Sequence, residues 1–328
     1  MSKRSPRSAE SEESSSAPTL PQVPCRSLYG RVQSQLTLGT VQFGMPYGVV
    51  NRTGIPSSRD IARIVHRAVD HGVSHIDTAR AYGESEERLG EALSGSWRRR
   101  VNVVTKLAPV VDADEAAIRV SVDASVHASC RALRTERLDI LLLHRAENRF
   151  VCGGAAWERL KELKRTGTIG LLGVSVQNPD EAEDALSDSE VDLIQLPFNL
   201  LDYRWTAPLG RPKLVVHARS VLLQGLLTGA SAGRWPRIEG FDSGALVTAL
   251  NRLAGDLGCR SMADLAIAFV RAHAWIHSLV IGMETEAQLK ENLIRFAAPA
   301  LDEPALAAVR RCLPKPPLML LDPARWSP

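Results

Sequence analysis

The sequence predicts one α/β domain, a closed (β/α)8 TIM barrel, behind a disordered N-terminal tail. Three observations predict it. From residue 34, short apolar, β-branched runs alternate with longer segments of helical period. Strands that alternate with helices pair in parallel, with the helices as crossovers. The runs are almost unbroken in apolar residues, as strands buried beneath helices must be. Eight such units fall within about 260 residues, the length of a (β/α)8 barrel.

The first run, "LTLGTVQFG" (36–44), leads into a glycine-containing hairpin or loop, "GTVQFGMPYG". It lacks the GxGxxG that opens a helix in a doubly wound sheet, which disfavours that rival fold. "SRDIARIVHRAVDHG" follows, with Ser58 as its expected N-cap and Gly72 as its stop. The second strand is "SHIDTA" (74–79), with "ESEERLGEAL" as its helix. "VNVVTKL" (101–107) precedes "DEAAIRVSVDASVHASCRAL", and "LDILLLH" (138–144) precedes "AAWERLKELKRTG". "LLGVSV" (171–176) precedes "DEAEDAL"; "LIQLPF" (193–198) and "LVVHARS" (214–220) come next, with "GALVTALNRLAGDLG" beyond them. "SMADLAIAFVRAH" is an additional helix before the last strand, "SLVIGM" (278–283), and "TEAQLKENLIRF" closes the pattern.

The 328 residues are 45% hydrophobic and 23% charged, an ordinary globular composition. A net charge of +3, without a basic stripe of interleaved aromatics, speaks against nucleic-acid binding. No apolar run approaches the ~18 residues a membrane span needs, and the N-terminus lacks the apolar core of a signal peptide. Cys25, Cys130, Cys152, Cys259 and Cys312 form no CxxC, so they read as reduced thiols of a cytoplasmic protein, with neither a disulfide framework nor a metal site. Residues 1–33, rich in Ser, Glu and Pro, are expected to form the disordered tail, and residues 34–328 the barrel.

In such a barrel the chemistry sits at the C-terminal ends of the strands. Asp77 lies near the end of the second strand, with Tyr82 in the loop beyond; Lys106 ends the third strand and His144 the fourth. Singly these read as a turn aspartate, a solvated lysine and a core histidine. Together they leave three successive strands at one rim, and strands ~4.8 Å apart let them meet in one pocket. There a carboxylate keeps the lysine charged and oriented, and an ammonium favours a phenolate beside it. The histidine polarises a carbonyl, and the phenol protonates its oxygen as a hydride reaches carbon.

Through "HIDTARAYGESEERLGEAL", "VVTK", "LDILLLH", "GVS", "VDLIQLPFNLLD" and "VIGMETEAQLKEN", in that order over residues 34–300, the chain resembles the aldo-keto reductase superfamily. "LGTVQFGMPYGVVNRTGIPS" and "LLDPARW" further resemble a bacterial branch associated with sugar and surface-polysaccharide metabolism. The resemblance implies a barrel that binds NADP(H) in extended form, with Asp77, Tyr82, Lys106 and His144 as catalytic tetrad and Tyr82 as general acid/base. It implies that Ser175 and Gln195 hold the nicotinamide carboxamide. Ser220, Leu222 and Gly225 would cover the pyrophosphate, and Gly282, Thr285, Gln288 and Asn292 would bind the adenosine. Asn199 sits where the family has an asparagine. Two positions depart from the pattern: Ser175 is followed by Val176 where the family often has asparagine, and Glu284 stands where many relatives place a basic or small residue. The second departure makes NAD(H) the alternative cofactor.

The expected activity is NAD(P)H-dependent reduction of an aldehyde or ketone, sugar-type carbonyls included, in a cytoplasmic enzyme without metal, nucleic-acid or membrane partners. Two rival readings remain. A non-catalytic nicotinamide-binding barrel, acting as a redox sensor or regulator, would have no use for Tyr82 or Lys106. A lyase or isomerase would use Lys106 as a Schiff-base amine, and the adjacent acid keeps that amine protonated. Tyr47, Phe43 and Trp205 are candidates to line the substrate mouth, with plain packing the favoured reading of each, and the C-terminal "PLMLLDPARW" is expected to fold over the barrel rim, where its apolar run finds burial.

Overall fold

The computed structural model describes residues 20–205 and 211–326. Two short strands, β1 (Cys25–Leu28) and β2 (Arg31–Ser34), form an antiparallel hairpin. Eight parallel strands then close a barrel: β3 (Leu36–Gly39), β4 (His75–Asp77), β5 (Asn102–Lys106), β6 (Leu138–Leu143), β7 (Ile169–Ser175), β8 (Leu193–Pro197), β9 (Val215–Arg219) and β10 (Ser278–Gly282). They neighbour one another in chain order, and β10 seals the ring by pairing with both β9 and β3. All eight expected runs are therefore strands of the expected barrel.

Period-two alternation decides what each strand sends inward. In β6, Leu141 and Leu143 join the large core between barrel and helices, while Ile140 and Leu142 pack with Val104 and Leu193 in a smaller interior cluster. That layer fills the middle of the barrel. Two residues further along β5 from Val104 comes Lys106, and two along β8 from Leu193 comes Gln195, so the same alternation delivers polar groups to the upper rim. At the lower end, His75 and His217 meet edge to face at 6.0 Å, and Thr37 bonds Ser278 at 2.7 Å.

The hairpin closes that lower end and corrects the expected tail, whose residues 20–33 are structured here; residues 1–19 lie outside the described residues. Tyr29 (φ 51°) and Gly30 (φ 81°) make its tight turn in the left-handed region. Gln33 is buried, with Oε1 3.4 Å from His217 Nε2, and Ser34 exchanges hydrogen bonds with Ser74. Val23 is buried in the main core. The segment is polar because its partners are the polar groups of the barrel floor.

The expected helices all form, with corrections at their ends. The first long helix spans Ser58–Asp70, and Ser57 rather than Ser58 caps it, accepting from the Asp60 N–H. Its apolar stripe of Ile61, Ile64, Val65 and Ala68 is fully buried, and each large aliphatic group so placed contributes about 1.5–3 kcal/mol. The loop expected after β3 instead contains a four-residue helix, Val41–Gly44. A further helix, Glu303–Cys312, had no counterpart in the sequence reading. No helix among the described residues is long and apolar enough to cross a membrane.

Candidate active site

Asp77 and Lys106 point into the upper barrel from adjacent strands, 3% and 1% exposed. Lys106 Nζ lies 2.6 Å from Asp77 Oδ1 and donates to the Thr78 carbonyl at 2.9 Å. Gln195 Nε2 donates to the other Asp77 oxygen at 2.7 Å. Tyr82 comes over this pair on the loop after β4, with Lys106 Nζ 5.0 Å from its ring centroid. His144 follows β6 and meets the Tyr82 ring edge to face at 5.7 Å. The four residues expected at one rim thus converge.

The Tyr82 loop is clamped from two sides. Beneath it, the fully buried Glu86 accepts from Arg80 at 2.5 Å and from Thr105 at 2.5 Å, tying the loop to β5 next to Lys106. Beside it, Gly44 lies so close that an added Cβ would fall 2.6 Å from the Ser85 nitrogen and closer still to the Tyr82 carbonyl oxygen. Gly83, at φ +57°, faces Gly44 across the same contact. Only two glycines permit this approach of backbones.

Environment separates the two basic groups. Burial alone would push the Lys106 ammonium down, but the Asp77 carboxylate and Tyr82 outweigh it and hold it above the ordinary lysine range. His144 has no carboxylate to offset its burial, and Lys106, Arg219 and Arg145 add to the effect, so its imidazolium is pushed down to about 3. The pocket therefore holds a charged lysine and a neutral histidine at neutral pH.

A cleft of about 880 Å3 runs from these residues across the upper face. Ser175, Gln195, Ser220, Leu222 and Gly225 line it, as do Gly282, Gln288 and Asn292. Thr285 does not; its hydroxyl caps the helix Glu286–Ala297 by accepting from the Gln288 N–H. Asn199 holds its own turn, bonding the Ser220 carbonyl and the Leu201 N–H. From Ser220 to Gly225 the backbone is unusual: Ser220, Leu223 and Gln224 all have positive φ, at 56°, 46° and 51°. Such strain gathers at ligand loops. Of the three aromatics expected to pack, Phe43 and Trp205 are in the core and Tyr47 lines the cleft. Asp322 and Ala324 of the C-terminal segment also line it, with Leu320 and Leu321 buried beneath, so that segment does fold onto the rim.

Two residues escaped the sequence reading. Gln42, in the short helix after β3, lines the cleft with Oε1 buried and without a hydrogen-bond partner among the described residues. Arg219 ends β9 in the cleft; it donates to Gln177 Oε1 at 2.6 Å and the Val176 carbonyl at 3.1 Å, with no carboxylate in ion-pair range among the described residues. Alternation with Val215 and His217 was the available signal for it. An orphaned acceptor, a strained loop and amide donors beside a proton-donating set fit a nicotinamide dinucleotide.

A family model described as the aldo/keto reductase family matches residues 35–314. The chain is 25% identical over 273 residues to the uncharacterized oxidoreductase YqkF of Bacillus subtilis, covering 75% of this chain and 85% of that protein. It is 35% identical over 149 residues to a D-arabinose 1-dehydrogenase of Saccharomyces cerevisiae, covering 43% and 42% of the two. In fold it matches the aldo-keto reductase AKR11C1 of Bacillus halodurans, solved in its holo form, with a TM-score of 0.72 at 22% identity over 90% of this chain and 98% of that one.

Proposed function

The chain belongs to the aldo/keto reductase family, and on that premise we propose that it reduces an aldehyde or ketone to an alcohol, with Tyr82 as proton donor. The observation that carries the proposal is the convergence of Tyr82, a buried Lys106–Asp77 pair and a neutral His144 at one end of a long cleft. A bound nicotinamide dinucleotide would supply the hydride. Ser175 and Gln195 would hold its carboxamide; Gln195 has one N–H engaged by Asp77, leaving its carbonyl and second N–H available. The strained Ser220–Gly225 loop and Gln42 would flank the middle of the cofactor.

The protein's own groups divide the remaining work. His144 donates a hydrogen bond to the carbonyl oxygen and polarises it. Tyr82 gives that oxygen its proton. The Lys106 ammonium stabilises the phenolate left behind, and Asp77 keeps the ammonium charged and aimed. Arg145, Glu147, Glu181 and Asp322 also line the cleft. Those groups suit a hydroxylated substrate, and the partial likeness to an arabinose dehydrogenase supports sugar-type carbonyls as the first class to assay. The family resemblance favours NADP(H), while the far end of the cleft favours NAD(H), as developed below.

The test is Tyr82→Phe. It removes the proton and leaves the cleft intact, so kcat is expected to fall ~10²–10⁴-fold with dinucleotide Kd unchanged. Turnover near wild type in that variant would remove Tyr82 from the mechanism.

A further inference from the structure

We propose that the adenosine end of the cleft accepts the ribose diol of NAD(H) and rejects the 2′-phosphate of NADP(H), with Glu284 as the deciding residue. This rests on the cofactor reading above. Hydride delivery at Tyr82 and His144 fixes the nicotinamide end of any bound dinucleotide. The remainder must lie along the same cleft, whose other end, beyond Gly282, is walled by Glu284, Gln288, Glu291, Asn292 and Arg295. The adenosine ribose therefore meets this wall.

Glu284 is 9% exposed and fixed in place. Its backbone N–H donates to Gln288 Oε1 at 2.7 Å, and Gln288 Nε2 donates back to Glu284 Oε2 at 2.7 Å. The carboxylate cannot turn out of the cleft without losing the amide that holds it. Its second oxygen, Oε1, takes no hydrogen bond among the described residues. A carboxylate only accepts hydrogen bonds, and a ribose diol offers two O–H donors to it.

A 2′-phosphate brings the opposite chemistry: acceptor oxygens only, and between one and two negative charges. It would need a cation, and Arg295, which lines this wall, is engaged, as are Arg63 and Arg67 beside it. Arg295 uses all three guanidinium nitrogens, on Asp264, Asn292 and Glu291, each at 3.0 Å. Arg63 and Arg67 reach Glu286 at 2.8 and 3.1 Å. Gln288 carries no charge, and its amide is occupied by Glu284. The phosphate would face a held carboxylate, with no unpaired side-chain cation lining this end of the cleft among the described residues. Like charges in such juxtaposition are disfavoured enough that NADH should bind at least about 100-fold more tightly than NADPH.

The experiment is equilibrium binding to the full chain, without substrate, followed by quenching of tryptophan fluorescence with NADH and NADPH in parallel. Competition by 5′-AMP and adenosine 2′,5′-bisphosphate then isolates the adenosine half. Wild type should prefer NADH and 5′-AMP. Glu284→Gln keeps the size and hydrogen bonds of the side chain and should shrink the gap to within about tenfold; Glu284→Arg should invert it. Thermal melting of each variant with and without NADH confirms a folded, binding-competent protein. NADPH binding as tight as NADH in wild type, or a gap unchanged in a folded Glu284→Gln variant, would overturn the assignment and leave the reductase reading standing. Binding of neither dinucleotide would overturn the cofactor reading and this inference with it.

Discussion

The Lys106–Asp77 pair invites a four-protein cycle: wild type, Asp77→Asn, Lys106→Met and the double variant. The two charged atoms are 2.6 Å apart and almost wholly buried. At that separation and an effective dielectric near 20, their attraction is about 6 kcal/mol. Most of it is offset by the cost of taking both ions out of water. Removing one member leaves that cost uncompensated on the other, so each single variant should lose about 3–5 kcal/mol of stability. The double variant removes the lone charge as well and should lie within about 2 kcal/mol of wild type. Urea unfolding followed by far-UV circular dichroism reads all four, and kcat is measured alongside. All three variants should be inactive, so the double variant would be a stable barrel that does no chemistry. Strictly additive losses would refute the view that the pair is one electrostatic unit. Near-normal turnover in the double variant would refute the role given to Lys106.

Two other perturbations probe the support around this pair. Gly44→Ala drives a methyl group against the backbone of the Tyr82–Ser85 turn, and a displacement of about 1 Å at a catalytic group can cost ~10²-fold in rate; kcat should fall while dinucleotide Kd holds, and an unchanged kcat would show the turn to be compliant. At the barrel floor, burial, followed by Arg31, pushes His75 down from 6.5 to about 4, and the adjacent His217 lies well below its ordinary value for the same first reason. The unfolded chain takes up these protons first, so stability is full above about pH 6.5 and is lost as pH falls toward about 4. His75 alone accounts for about 3 kcal/mol of that loss. A urea midpoint independent of pH between 7.5 and 5, or the same slope in His75→Asn, would count against it.

How much of this was legible follows from what each residue answers to. The strands were readable because each is an apolar run that only a helix-covered sheet can use. Asp77, Lys106 and His144 were readable because they interrupt such runs at one end, where an ionisable group needs a reason. The hairpin was not, since "CRSLYGRVQS" has few apolar residues and orders against Gln33 and Ser34 partners supplied by distant strands. Ser57 and Ser58 are adjacent, and the register that puts Asp60 three residues after the cap decides between them. Thr285 matched a cofactor motif but is engaged in capping its helix. Gln42 hid in a helix of four residues, too short to leave a period. Arg219 was hidden by its own strand, because a run scored for apolar content says nothing about the face its last residue occupies.

The sharpest property of the site is a contrast that sequence spacing could not supply. Lys106 ends β5 and His144 follows the neighbouring β6, and burial pushes both groups down, yet one ends charged and the other neutral. The difference is the Asp77 carboxylate, aided by Tyr82. Asp77 lies against Lys106 and is itself steadied by Gln195 from across the barrel, so burial loses to attraction there. His144 faces cations alone, so burial and repulsion act together. Paired groups whose environments drive them apart in this way mark the division between donor and stabiliser. It follows that a carboxylate introduced beside His144 should undo the division: the imidazole would become an imidazolium competing with Tyr82 for the role of acid, and the pH profile of kcat would gain a limb in the range where histidine titrates. Val174, buried on the strand next to β6, is too far outward to serve, whereas Ser175→Asp enters the cleft itself. In that variant the His144 ring resonances, followed by NMR through a pH titration, should move up from about 3, and a ring that stays neutral would show that desolvation, rather than the missing partner, sets its state.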